Sequence, residues 1–178
     1  MNFLEYSKII NETAVYPKSF GPAYTVLGLV EESWELQESI PKMDKTHSLK
    51  ETGDVLWYLT ATMFEYDLDL EHYNSLINLF NDGSYYTSYS DIENLSDSLV
   101  ASVNKIASMT KKYIRDGNIN KHLLNMYMEQ ILIDLCSICD RLNSDIYECM
   151  KINYDKLIKR RETNTIHGSG DNREEQVA

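Results

Sequence analysis

Between Pro22 and Ile40 the apolar residues Leu27, Val30 and Trp34 recur at three- and four-residue intervals. That spacing places side chains on one face of an α-helix. The same period runs through Val55, Leu59 and Met63, through Leu95, Leu99, Ile106, Met109 and Tyr113, and through Leu124, Tyr127, Ile131, Leu135, Ile138 and Leu142. No strand-like alternation of useful length and no repeat of fixed period interrupts it. The pattern predicts an all-α protein.

Punctuation residues set the expected boundaries. Pro17 disfavours helical geometry in the residue before it, so a first helix from Phe3 should end near Tyr16, with Lys18 to Gly21 a connecting loop. Pro22 suits the first turn of the second helix, and Pro41 closes it at Ile40. A third helix is predicted over Ser48 to Tyr66, and a short fourth over Asp69 to Phe80, stopped by the turn formers Asn81-Asp82-Gly83-Ser84. After a polar, Tyr-rich stretch from Tyr85 to Ser90 comes a long amphipathic helix that Asp116-Gly117-Asn118 terminates. One more helix precedes Asn143-Ser144, and a last runs from Asp145 to about Arg161. The polar, glycine-containing tail beyond it should be mobile unless a ligand orders it.

Composition narrows the functional classes. At 178 residues and 43% hydrophobic content, one domain with a packed core is expected. A formal net charge of -11 disfavours nucleic acid as partner, because binding to phosphate backbones draws largely on Lys and Arg. A free nucleotide stays possible, since a divalent cation can neutralise its phosphates within an acidic site. No apolar run approaches bilayer-spanning length and the N-terminus has no basic segment followed by an apolar one, so no membrane association and no export are expected. The odd cysteine count, Cys136, Cys139 and Cys149, argues for a reducing compartment and against a disulfide framework.

The chemistry concentrates in two acidic segments, Glu31-Glu32-Ser33-Trp34-Glu35 and Glu51-Thr52-Gly53-Asp54. Residues three apart share a helix face, so Glu32 projects with Glu35, and Glu51 with Asp54. A short connection joins the two helices, which favours an antiparallel hairpin with the pairs facing each other. Converging carboxylates repel by roughly 4 kcal/mol per pair at 4 Å and an effective dielectric near 20, so they need a cation or protons. An oxygen-only donor set suits Mg²⁺ or Mn²⁺ better than Zn²⁺, and Mg²⁺ readily accepts phosphate oxygens. Such acids also occur as the solvated faces of charged helices. Gly53 between the acids permits a close approach, and Trp57 and Tyr58 offer aromatic surface on which a base could stack, although aromatics at that spacing also serve as plain core.

These segments resemble the MazG-like all-α nucleoside triphosphate pyrophosphohydrolases, whose signature is an E-E-x-x-E helix followed by an E-x-x-D helix. Leu27 to Glu35 and Glu51 to Tyr58 carry the likeness, together with Thr13-Ala14-Val15-Tyr16-Pro17, Asn153-Tyr154-Asp155-Lys156-Leu157 with Arg160 or Arg161, and His167 to Arg173. The resemblance implies Glu32, Glu35, Glu51 and Asp54 as ligands of Mg²⁺, with Mn²⁺ the alternative, and cleavage between the α- and β-phosphates to a nucleoside monophosphate and pyrophosphate. It also implies a homo-oligomer, dimer or tetramer, and a cytoplasmic protein, in a host cytoplasm for a phage-type member. Glu35 is the expected general base and Glu31 the alternative. Asn153, Lys156 and Arg160 form one helical stripe that could reach sugar or phosphate or be a polar surface, and His167 and Arg173 could close over the phosphates from the tail. Compact members bring the Asn-x-x-Lys-Leu segment soon after the E-x-x-D helix. Here residues 1–80 and 143–162 read as the MazG-like core of one domain, 84–142 as inserted helices, and 163–178 as a flexible tail.

Other signals read more plainly. Cys136-Ser137-Ile138-Cys139 has the spacing of half a zinc site but lies in a helical apolar pattern without a second pair. His47, His72 and His122 stand singly, and neither a phosphate-binding P-loop nor the Glu-x-x-His pairs of a di-iron bundle occurs. Two rivals to the hydrolase stand: a helical protein that binds a nucleotide or a partner without turnover, and a hydrolase of a guanosine tetraphosphate-like alarmone.

Overall fold

The computed structural model describes residues 1–85 and 91–167, in which seven α-helices and no strand occur. They are α1 Phe3–Thr13, α2 Gly21–Ser39, α3 Lys45–Glu65, α4 Leu70–Asn81, α5 Ile92–Asp116, α6 Lys121–Arg141 and α7 Ile146–Glu162. Six of the seven start on an Asn or Asp whose side chain accepts a backbone N–H of the first turn: Asn2, Asp44, Asp69, Asp91, Asn120 and Asp145. Such caps satisfy donors that the helix itself leaves free. At Asn2 the cap is reciprocal, Glu5 returning a bond to the Asn2 backbone. Only α2 lacks a side-chain cap, and it carries Pro22 in its first turn.

Three boundaries differ from the sequence reading. The first helix stops at Thr13, before Tyr16, and Tyr16 instead swings out to donate its phenol to Glu65 Oε1 at 2.8 Å. The expected loop over Lys18 to Gly21 is a 3-10 turn, Lys18–Phe20, running straight into α2 at Gly21. The third helix begins at Lys45, not Ser48, because Asp44 caps the His47 N–H. Of the Tyr-rich stretch 85–90, only Tyr85 is among the described residues.

A second correction concerns the face of α2. Leu27 and Trp34, members of the apolar stripe read along this helix, are 70% and 53% exposed, and exposed Phe20 lies seven residues before Leu27. The buried face is Thr25, Val26, Gly28, Leu29, Ser33 and Leu36. The physical reason is that α2 is packed on two sides, by α3 and by α5. Small residues let both neighbours approach, whereas the bulky Leu27 and Trp34 fit only the remaining outward side.

α5 in turn packs on α6, while α7 and α1 lie against α3, so the acidic hairpin α2–α3 sits inside the bundle with α5 on one side and α7 on the other. The segment 84–142 shares the core: Leu95, Leu99, Val103, Ile106, Leu124, Ile131 and Leu135 are buried in the same cluster as Leu29, Leu36, Val55 and Leu59. Cys136, Cys139 and Cys149 are free thiols buried in it, as small core residues would be. Among the described residues, no helix is long and apolar enough to cross a membrane.

Gly53 is where α7 meets α3. A Cβ there would lie 2.9 Å from Asn153 Cβ and 3.1 Å from the Cys149 carbonyl oxygen. Gly53→Ala should therefore destabilise the fold by a net ~1–2 kcal/mol, the overpacking exceeding the ~1 kcal/mol gained in helix propensity. Chemical denaturation measures it, and a stabilised variant would contradict the close α3–α7 contact.

Candidate metal centre

Glu32 and Glu35 project from α2 toward Glu51 on α3, and one carboxylate oxygen from each can be chosen such that all lie within 4.8 Å of one another. Their environments differ. Glu51 is buried, Glu32 half-buried and Glu35 exposed. Burial pushes the Glu32 carboxyl up to about 8, reinforced by the negative charges of Asp54, Glu35 and Glu51 and opposed by Lys156. The site holds more negative charge than it can solvate, as converging carboxylates must.

Asp54 lies beside this trio, close enough for its charge to act on Glu32. Its carboxylate is paired with the Lys156 ammonium and accepts the Asn153 amide N–H at 2.8 Å. Of the four acids that the helix spacing brings to one place, three lie within 4.8 Å of one another and the fourth, Asp54, pairs with Lys156 of α7. The reason is that α7 reaches the second turn of the acidic segment over Gly53, bringing Asn153 and Lys156 to Asp54.

Both residues are thereby carried into the cavity despite the long detour of the chain. The cavity, of about 460 Å³, is lined by the acids Glu31, Glu32, Glu35, Glu51 and Asp54, by Asn153, Lys156 and Arg160, and by Tyr16, Tyr24, Trp57 and Tyr58. None of its lining comes from the described residues of 84–142. Of the tail residues, Ile166 lines the cavity, Thr165 is buried, and its N–H donates to the Arg160 carbonyl at 2.8 Å. His167 is exposed and outside the lining, and Arg173 lies beyond the described residues.

The aromatic wall is more extensive than Trp57 and Tyr58. Tyr16 stacks on Tyr24 with ring centroids 4.8 Å apart, and Trp57 meets Tyr16 edge-on at 6.5 Å and Tyr58 at 4.7 Å. Gly28 allows it: a Cβ there would lie 2.0 Å from a Tyr58 ring carbon. Burial, with hydrogen bonds to Glu65 and Tyr24 respectively, raises the phenols of Tyr16 and Tyr58, so both stay protonated and uncharged beside the acids.

His47, one of the histidines that stand singly in the sequence, lines the cavity with its Nδ1 3.2 Å from Glu51 Oε1. Its four-residue lead on Glu51 was the available signal. Tyr16 carries a sequence signal only as part of the Thr13 to Pro17 segment, and Tyr6 carries no local signal. The chain matches no family model, no curated protein and no solved structure.

Proposed function

We propose that this protein is a Mg²⁺-dependent nucleoside triphosphate pyrophosphohydrolase, with Mn²⁺ able to replace Mg²⁺. The observation that carries the reading is the placing of three carboxylates within 4.8 Å of one another in a cavity that also presents an aromatic wall and two cationic side chains, Lys156 and Arg160. The resemblance to the MazG-like enzymes supplies the reaction type. The donor set fits the ion: carboxylate oxygens only, crowded enough that Glu32 keeps its proton unless a cation compensates.

In this reading Glu32, Glu35 and Glu51 hold the metal, and Asp54 either joins them or orients Lys156. When bound there, the ion would supply charge neutralisation at the phosphates and would make a water in the site more acidic. The chain's own groups do the rest. Lys156 and Arg160 attract the triphosphate, and the wall of Tyr16, Tyr24, Trp57 and Tyr58 receives the base by stacking. Glu35, the exposed member of the trio, accepts the proton of the attacking water, with Glu31 the alternative. The water oxygen bonds to the α-phosphorus, the α–β anhydride bond breaks, and pyrophosphate leaves. The reading includes a homo-oligomer, for which exposed Phe20, at the end of the 3-10 turn, and Leu27 and Trp34 on α2 offer apolar surface.

The test is a panel of canonical and modified nucleoside triphosphates and a tetraphosphate-type alarmone, incubated with Mg²⁺ and resolved by ion-exchange chromatography. Equal amounts of monophosphate and pyrophosphate from at least one triphosphate are expected. Tight binding with no product would replace the reading with that of a binding protein, and turnover of the alarmone alone would replace the substrate class.

A further inference from the structure

A polar chain runs into the proposed site from α1, a helix that carries none of the acidic motifs. Tyr6 is fully buried, and its phenol O–H donates to Asn153 Oδ1 at 2.8 Å, with the Gly53 carbonyl a weaker second acceptor at 3.4 Å. The other end of the same amide, Nδ2, donates to Asp54 Oδ1 at 2.8 Å. Asn153 is only 1% exposed, so there is little room for water to replace a lost partner.

An amide has one accepting and one donating end, and turning it over exchanges them. Asp54 as a carboxylate only accepts, so it needs the NH₂ end. Tyr6 satisfies the oxygen end, which would otherwise be a buried acceptor with no partner. Burial and the nearby Asp54 charge hold the Tyr6 phenol far above its ordinary range, which keeps it a donor.

We propose that Tyr6 is a positioning residue for Asp54, acting through Asn153: its O–H holds the amide with the NH₂ end on the carboxylate and so fixes where Asp54 and its partner Lys156 face the cavity. Without that O–H, the amide has a competing arrangement in which its NH₂ turns to the Gly53 carbonyl and leaves Asp54. The inference rests on the functional reading above for its effect on turnover, but its structural half does not.

Tyr6→Phe keeps the ring and removes only the O–H. In the metal-free protein, the Asn153 side-chain NH₂ resonances, identified by their loss in Asn153→Ala, should shift in Tyr6→Phe while the rest of the spectrum is largely retained. Turnover with Mg²⁺ should show kcat reduced about 10- to 100-fold, the range typical of groups that orient a metal site from behind it, with KM changed much less. In an Asn153→Ala background, Tyr6→Phe should cost almost nothing further, because the path from Tyr6 to Asp54 is already cut. Unshifted amide resonances, or a full additional loss in the double variant, would overturn the proposal. An amide shift in Tyr6→Phe together with no triphosphate hydrolysis by the wild-type protein would instead overturn the functional reading and leave the Tyr6–Asn153 contact standing.

Discussion

Glu51→Gln is expected to lower Mg²⁺-dependent pyrophosphate release by about 10³-fold or more while leaving the metal-free protein folded and somewhat more stable. Removing one ligand forfeits several kcal/mol of charge stabilisation at the phosphates, and each ~1.4 kcal/mol is a factor of ten in rate. The stability change has the opposite sign because Glu51 is buried with the Glu35 carboxylate close by, so a neutral amide of nearly equal size removes that repulsion and the cost of burying a charge. A gain of about 1 kcal/mol follows, since Glu35 is exposed and its charge is screened by solvent. Gln also retains an acceptor for His47. Opposite signs distinguish a metal centre from a structural acid: a variant that lost stability and activity together would point to damage, and undiminished turnover would remove Glu51 from the centre. Trading stability for charge in this way is common at functional sites.

The second large effect is on pH. The Glu32 carboxyl is raised from 4.5 to about 8, so the folded protein binds a proton that the unfolded chain has released. Its contribution to stability is therefore fully present below about pH 4.5 and is lost progressively as pH rises to about 8, after which it changes no further. Across that window the metal-free protein should lose a few kcal/mol through this group, at up to ~1.4 kcal/mol per unit. Metal binding runs the other way. Since the ion needs the carboxylate, Mg²⁺ or Mn²⁺ should displace a proton below about pH 8, and apparent affinity should rise by up to tenfold per unit until that point. Calorimetry in buffers of different ionisation enthalpy measures the proton released. In Glu32→Gln both the steep fall in metal-free stability and this proton release should disappear, and a wild-type affinity that is flat between about pH 6 and pH 8 would contradict the crowded-carboxylate picture.

Much of the architecture was legible along the chain because helices depend on local terms. A 3.6-residue period, Pro at helix entries and Gly or Asn at exits act within a few residues, and they pointed to all seven helices of the described residues, while the Asn and Asp caps that set several starts went unread. The pairing of Glu32 with Glu35 on a common face is likewise a property of one helix. The error at Leu27 and Trp34 has the complementary cause. Periodicity shows that α2 has apolar faces, but which of them is buried depends on α5, whose position is set by contacts some sixty residues away, such as that of Gln37 with Asp97 at 2.6 Å.

The site divides in the same way. Local sequence determined that two helices each present acids on one face, and that the donors are oxygen alone. Tertiary packing decided how those acids are shared: Glu32, Glu35 and Glu51 as a trio, and Asp54 with Lys156 and Asn153. It also placed Tyr16 on Tyr24 and Tyr6 behind Asn153, contacts that span 8 and 147 positions in the chain. Local helix chemistry is short-ranged and can be read from neighbouring residues. Which carboxylate faces a cation, another carboxylate or an amide depends on where a distant helix comes to rest, and here the room left by Gly53 lets α7 come close enough to decide it.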